Sequence, residues 1–209
     1  MDKFEQNRQK LFNGDLKGTK NFFAKNGCTL ELAYCKLLEE DYKGAKRLFL
    51  SIKDESPRAE WGYKITSILQ RKHSTEPIYR EELPSYFQLR NFLEVDLALF
   101  IKHGKGNFVE ILCAYADIFA DINLECYKFY ARVFHFCDYP QFADFFAKKA
   151  KEHFYRDAEL HCQIAIMHYA RKNWELAQQH CFSCLYILSE YYPAEQLLSE
   201  ISKVIIREN

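Results

Sequence analysis

Glycine is scarce in this chain and stops altogether after Gly106. Seven Gly and five Pro are few for 209 residues, so the second half has little backbone slack and reads as closely packed helix. Net charge is missing as well, with 29 basic side chains against 29 acidic ones. A general binder of nucleic acid or of a membrane surface carries a basic excess, so neither partner is expected. No uninterrupted apolar run approaches a membrane span. The opening MDKFEQNRQK has no apolar signal core, and no Asn-x-Ser/Thr acceptor occurs. These absences point to a reducing interior, the nucleus and/or the cytoplasm.

Catalytic and metal motifs are lacking too. There is no His-Glu-x-x-His and no Gly-x-Ser-x-Gly. The seven His residues are scattered, and none pairs in sequence with a nucleophile and a carboxylate. Gly104-Lys105-Gly106 lacks the spacing of a phosphate loop and follows a helix rather than a strand, so it reads as an inter-helix turn. Cys181-Phe-Ser-Cys184 is a CxxC beside His180, for which a zinc site would need two more ligands, with His161 and Cys162 the candidates. Both thiols fall at apolar helical positions, where cysteine acts as a small buried hydrophobe. The same holds for most of the eight cysteines, which argues against a disulfide framework. The expectation is a protein that is not an enzyme and holds no cofactor and no metal.

What the chain does have is helix. Hydrophobic residues make up 48% and aromatic ones 16%, with 18 Phe and 14 Tyr as inter-helix filler. Apolar spacing predicts helices over 4–12, 16–25, 30–38, 59–70, 85–102, 108–122 and onward to a last one opened by Pro193. Asn13-Gly14-Asp15 and Asn26-Gly27 are turns. Residues 71–84, with Pro77, Pro84 and mixed charge, are the expected long loop. The basic run Lys148, Lys149, Lys151 and Arg156 alternates with Phe145, Phe146, Phe154 and Tyr155. That interleaving can grip single-stranded nucleic acid, but at helical spacing it reads first as one buried and one wet face.

A ladder of small residues organises the chain. Ala33 is followed after twelve residues by Ala45, after four by Phe49 and after three by Ile52, with Pro57 closing the stretch. Ala131, Ala143, Ala147 and Ala150 repeat the ladder, and Ala165, Ala177, Cys181 and Cys184 repeat it 34 residues later. GDLKGTKNFFA (14–24) echoes EDYKGAKRLFL (40–50) at an offset of 26. Small side chains let two helices of a hairpin approach, and larger ones a turn later fill the gap to the next hairpin. The ladder resembles the tetratricopeptide (TPR) repeat. It implies an all-α, TPR-like right-handed solenoid of roughly eleven helices forming one domain over 1–209. The repeats fall at about 2–27, 28–57, 58–122 (irregular), 123–156 and 157–190, with a capping helix at 193–207.

Leu32-Ala33, Cys35, Ala45, Arg47-Leu48 and Pro57 further resemble, without gaps, the second repeat of the N-terminal domain of Cdc-class TPR subunits of the anaphase-promoting complex. The preceding helix pair, 4–25, is similar to that domain's first repeat. The resemblance implies a homodimerising scaffold in a multisubunit ubiquitin ligase that drives exit from mitosis, with itself and other subunits as partners. Two superhelices would clasp, the first helices of one against the groove of the other. Phe4, Leu11, Phe12, Leu16, Phe22 and Phe23 become interface candidates, though Phe22 and Phe23 can equally pack the first hairpin. The alternative is a monomeric TPR adaptor or co-chaperone gripping a peptide in its groove. Lys3 and Asn7 resemble the start of a carboxylate clamp, for which the next repeats offer only Lys36 and Lys64.

Overall fold

A computed structural model describes residues 2–71 and 78–208. Among these the chain is all helix, with thirteen α-helices, one 3-10 turn and no strand. No helix among them is long and apolar enough to cross a membrane. The chain parts into two compact units, Met1–Cys126 and Tyr127–Asn209, where the sequence suggests a single domain.

The first unit holds α1 (Lys3–Phe12), α2 (Leu16–Lys25), α3 (Thr29–Leu38), α4 (Tyr42–Ser51), α5 (Pro57–Leu69), α6 (Tyr86–Lys102), α7 (Gly106–Ala114) and α8 (Ala116–Ile122). The echo between 14–24 and 40–50 is a shared cap. Asp15 accepts from the Gly18 N–H at 2.8 Å, and Asp41 accepts from the Gly44 N–H at 2.9 Å. Each aspartate satisfies an amide that the first turn of α2 or α4 leaves open. Pro57 starts α5, where its missing N–H costs nothing. Of the expected loop at 71–84, residues 72–77 lie outside the described ones, and Arg80–Glu82 form the 3-10 turn.

The count rises above eleven partly because 108–122 is two helices rather than one. The backbone breaks at Tyr115, with φ −95° and ψ 6°. Its amide still donates to the Ile111 carbonyl and its carbonyl still accepts from the Phe119 amide. The bend therefore sacrifices no hydrogen bond at that residue. Its side chain is buried, and Phe108 and Leu112 before it and Ala116, Phe119 and Ala120 after it are all buried as well.

Ala33, Ala45 and Phe49 are fully buried, while Ile52 is half-buried. Gly62 of α5 is also buried, and a Cβ added there would lie 2.6 Å from Phe49 Cζ. The Phe49 ring is held edge-on against Tyr34 at 5.2 Å, so it has little room to withdraw. Gly62→Ala should therefore destabilise by about 1–3 kcal/mol, because overpacking outweighs a helix-propensity gain of about 1 kcal/mol. Urea unfolding checks the sign, and a stabilised variant would refute the contact.

The second unit holds α9 (Cys126–Phe136, entering from the last residue of the first), α10 (Pro140–His153), α11 (Ala158–Ala170), α12 (Trp174–Ile187) and α13 (Tyr192–Glu208). Ala131, Ala143, Ala147, Ala165, Ala177, Cys181 and Cys184 are buried. An aromatic stack fills the α9–α10 space, with Tyr130 on Phe146 at 4.6 Å and Phe134 on Phe146 at 5.7 Å. Leu197 and Ile201 of α13 join Ala165, Ala177 and Cys181 in one cluster.

Five hairpins turn the same way. The second residue past each first helix has positive φ, at Gly14, Glu40, Gly104, Asp138 and Lys172. The next amide then bonds back over five residues, as Asp15 does to Lys10 and Asn173 to His168. Gly104, Asp138 and Lys172 are 34 residues apart. The α6–α7 turn is thus in register with the two later ones, although the small-residue ladder does not extend to it.

Candidate functional site

The first hairpin places the six interface candidates unequally. Phe23 is fully buried and Leu11 nearly so; both serve the unit's own packing. Phe4 is 36% exposed and meets Phe23 edge-on at 6.3 Å, while Phe12, Leu16 and Phe22 are half-buried. The end of α1 is anchored to the α6–α7 turn. His103 Nε2 donates to the Leu11 carbonyl at 2.6 Å, and Lys102 Nζ lies 4.1 Å above the Phe12 ring.

Beside this hairpin, α1, α3, α5 and α6 enclose a groove of about 570 Å3. Its apolar lining includes Leu11, Phe12, Leu30, Phe92 and Leu99. One wall is a polar cluster that sequence reading missed. Asp96 is fully buried and accepts from Tyr34 Oη at 3.0 Å, from Trp61 Nε1 at 2.5 Å and from Arg58 Nη2. Arg58 is sandwiched between the rings of Tyr34 and Phe92, at 4.9 and 4.8 Å. Burial works against the Arg58 charge, yet Asp96 and Tyr34 beside it raise its pKa. Burial, together with Asp96, holds the Tyr34 phenol well above its ordinary pKa. Arg58 Nη1 is enclosed and meets no acceptor. The one trace of this cluster in sequence is Asp96 itself, an acid between Val95 and Leu97 in the largely apolar segment 92–100, FLEVDLALF.

In the second unit, Cys181 and Cys184 are fully buried and belong to two different packing clusters. Burial pushes the Cys181 thiol up to about 12 and the Cys184 thiol up to about 11, so neither is a thiolate near neutral pH. Neighbouring histidines interact instead. His161 Nε2 lies 3.2 Å from the Tyr155 carbonyl and must donate to it; in neutral His161, Nδ1 is then the acceptor, taking the Nδ1–H of His180 at 3.0 Å. His168 stacks on His180 at 5.7 Å. Burial, with Lys151 and the other two histidines nearby, lowers the His180 pKa to about 4 and keeps the ring neutral. Among the described residues no group of three His, Cys, Asp or Glu is arranged to hold a metal ion.

The remaining sequence candidates are engaged locally. Asn7 donates to the Lys3 carbonyl, and Lys36 and Lys64 pair with Asp41 and Glu60 at 2.9 and 3.0 Å. Lys105 pairs with Glu40 at 2.8 Å, and Gly104 serves the α6–α7 turn. On α10, Phe146 is buried while Phe145 is exposed with Lys149 above its ring.

Compared with models of known families, with curated proteins and with solved structures, the chain finds no match.

Proposed function

We propose that the protein is a non-enzymatic interaction scaffold: a TPR-like solenoid that homodimerises within a multisubunit assembly, the anaphase-promoting complex, in the nucleus and/or cytoplasm. The observation that carries the interaction reading is the repetition of one hairpin turn five times, at Gly14, Glu40, Gly104, Asp138 and Lys172. A stack of like hairpins buries each apolar face against the next and leaves long surfaces for protein partners. The likeness of 32–57 to the scaffold subunits supports the more specific assignment. Phe4, Phe12, Leu16 and Phe22 keep accessible surface on the first hairpin, where a symmetric partner would bury it.

Light scattering after size exclusion should read twice the 24.9 kDa chain mass. Phe4→Glu combined with Phe12→Glu should return the mass to that of one chain. A monomeric parent chain at micromolar concentration would sink the dimer, and an unchanged dimer in the double variant would move the interface elsewhere. The groove in the first unit favours a second reading, an adaptor that holds a peptide segment of another protein.

A further inference from the structure

We infer that the groove between α1, α3, α5 and α6 takes an extended segment of another protein that carries an apolar side chain next to a Lys or Arg. This deepens the adaptor reading and rests on it. The apolar lining, with Leu30, Phe92 and Leu99 among it, calls for an aliphatic or aromatic side chain.

The charge of the walls fixes the rest of the occupant's chemistry. Arg58 is cancelled by buried Asp96 and contributes no net positive charge. That leaves Arg8 facing two carboxylates, with Glu5 at 3.3 Å and Glu31 at 3.4 Å. The groove therefore has one carboxylate more than it has cations, and complements a basic residue rather than an acidic one. Arg58 Nη1 has no acceptor but is itself closed off, and Asp96 and two rings hold the guanidinium in place, so the charge of the occupant is read by Glu5, Arg8 and Glu31.

The test pans the full chain against a phage-displayed library of random dodecapeptides. Recovered sequences are then made with a fluorescent label and titrated by anisotropy. Sequences pairing Leu, Ile or Phe with Lys or Arg are expected. Val95→Trp places a bulky ring at the groove from an exposed position on α6, so it leaves the core alone. It should weaken the selected peptides about tenfold or more. Glu31→Gln should weaken them about threefold, and should not affect peptides whose basic residue is replaced by Gln. The solution mass of each variant is read alongside and should match the parent. Acidic peptides that Val95→Trp excludes would overturn the basic class while leaving the adaptor reading standing. An empty selection, or peptides indifferent to Val95→Trp, would overturn both. A mass change in Val95→Trp alone would give the groove to self-association and overturn the proposal.

Discussion

Asp96→Ala should cost the first unit about 3–5 kcal/mol, the loss expected when one partner of a buried ion pair is removed. The size follows from what Asp96 does. It is fully buried and its two oxygens receive Tyr34, Trp61 and Arg58, which come from three other positions on α3 and α5. Truncation leaves a guanidinium without its counter-charge and two aromatic donors without an acceptor, around a fully buried position. A surface pair such as Arg8 with Glu5 would cost at most about 1 kcal/mol. Urea unfolding followed by tryptophan fluorescence measures the difference, since Trp61 sits in the cluster. A loss below about 1 kcal/mol would mean the cluster is not the support that its burial implies. Because the chain has two compact units, the transition assigned to the first must be fitted separately.

Phe146→Ala should cost the second unit about 3–5 kcal/mol, and its neighbour Phe145→Ala about 0.5 kcal/mol or less. The two residues are adjacent in sequence and chemically identical. Phe146 is 2% exposed and stacks on both Tyr130 and Phe134, whereas Phe145 is 54% exposed. Removing the buried ring leaves a cavity between α9 and α10 that the flat faces of its neighbours cannot close. Removing the exposed ring loses an edge contact and Lys149 above it. Equal losses for the two variants would refute the assignment of faces.

The helices were legible wherever the cause was local. Asn13-Gly14 acts within a few residues and reads directly as a turn, whereas Pro57, read as the close of a repeat, starts α5, and the Asp15 and Asp41 caps showed only as the echo between 14–24 and 40–50. Tyr115 was not legible, because 108–122 is helix-forming throughout and the break coincides with burial of its ring. The Asp96 cluster was hidden for a different reason: its members are up to 62 residues apart, and only tertiary packing joins them. The in-register turn at Gly104 escaped the ladder because Leu97 and Val109 stand where the later hairpins place Ala131 and Ala143. The regularity there is in the backbone, not in the side chains. The resemblance singled out Phe4, Leu11, Phe12, Leu16, Phe22 and Phe23, but it could not rank them, since a likeness of repeats does not separate Phe23 in the core from Phe4 at the rim.

The thiols make each unit its own clock. Burial pushes Cys35, Cys113 and Cys126 in the first unit and Cys181 in the second up to about 12. A folded chain therefore offers these sulfurs almost no thiolate to an alkylating reagent, and modification waits for an opening event. The rate at which the buried Cys35, Cys126 and Cys181 are tagged reads the frequency of opening in each one's own neighbourhood, without any label being engineered into the chain.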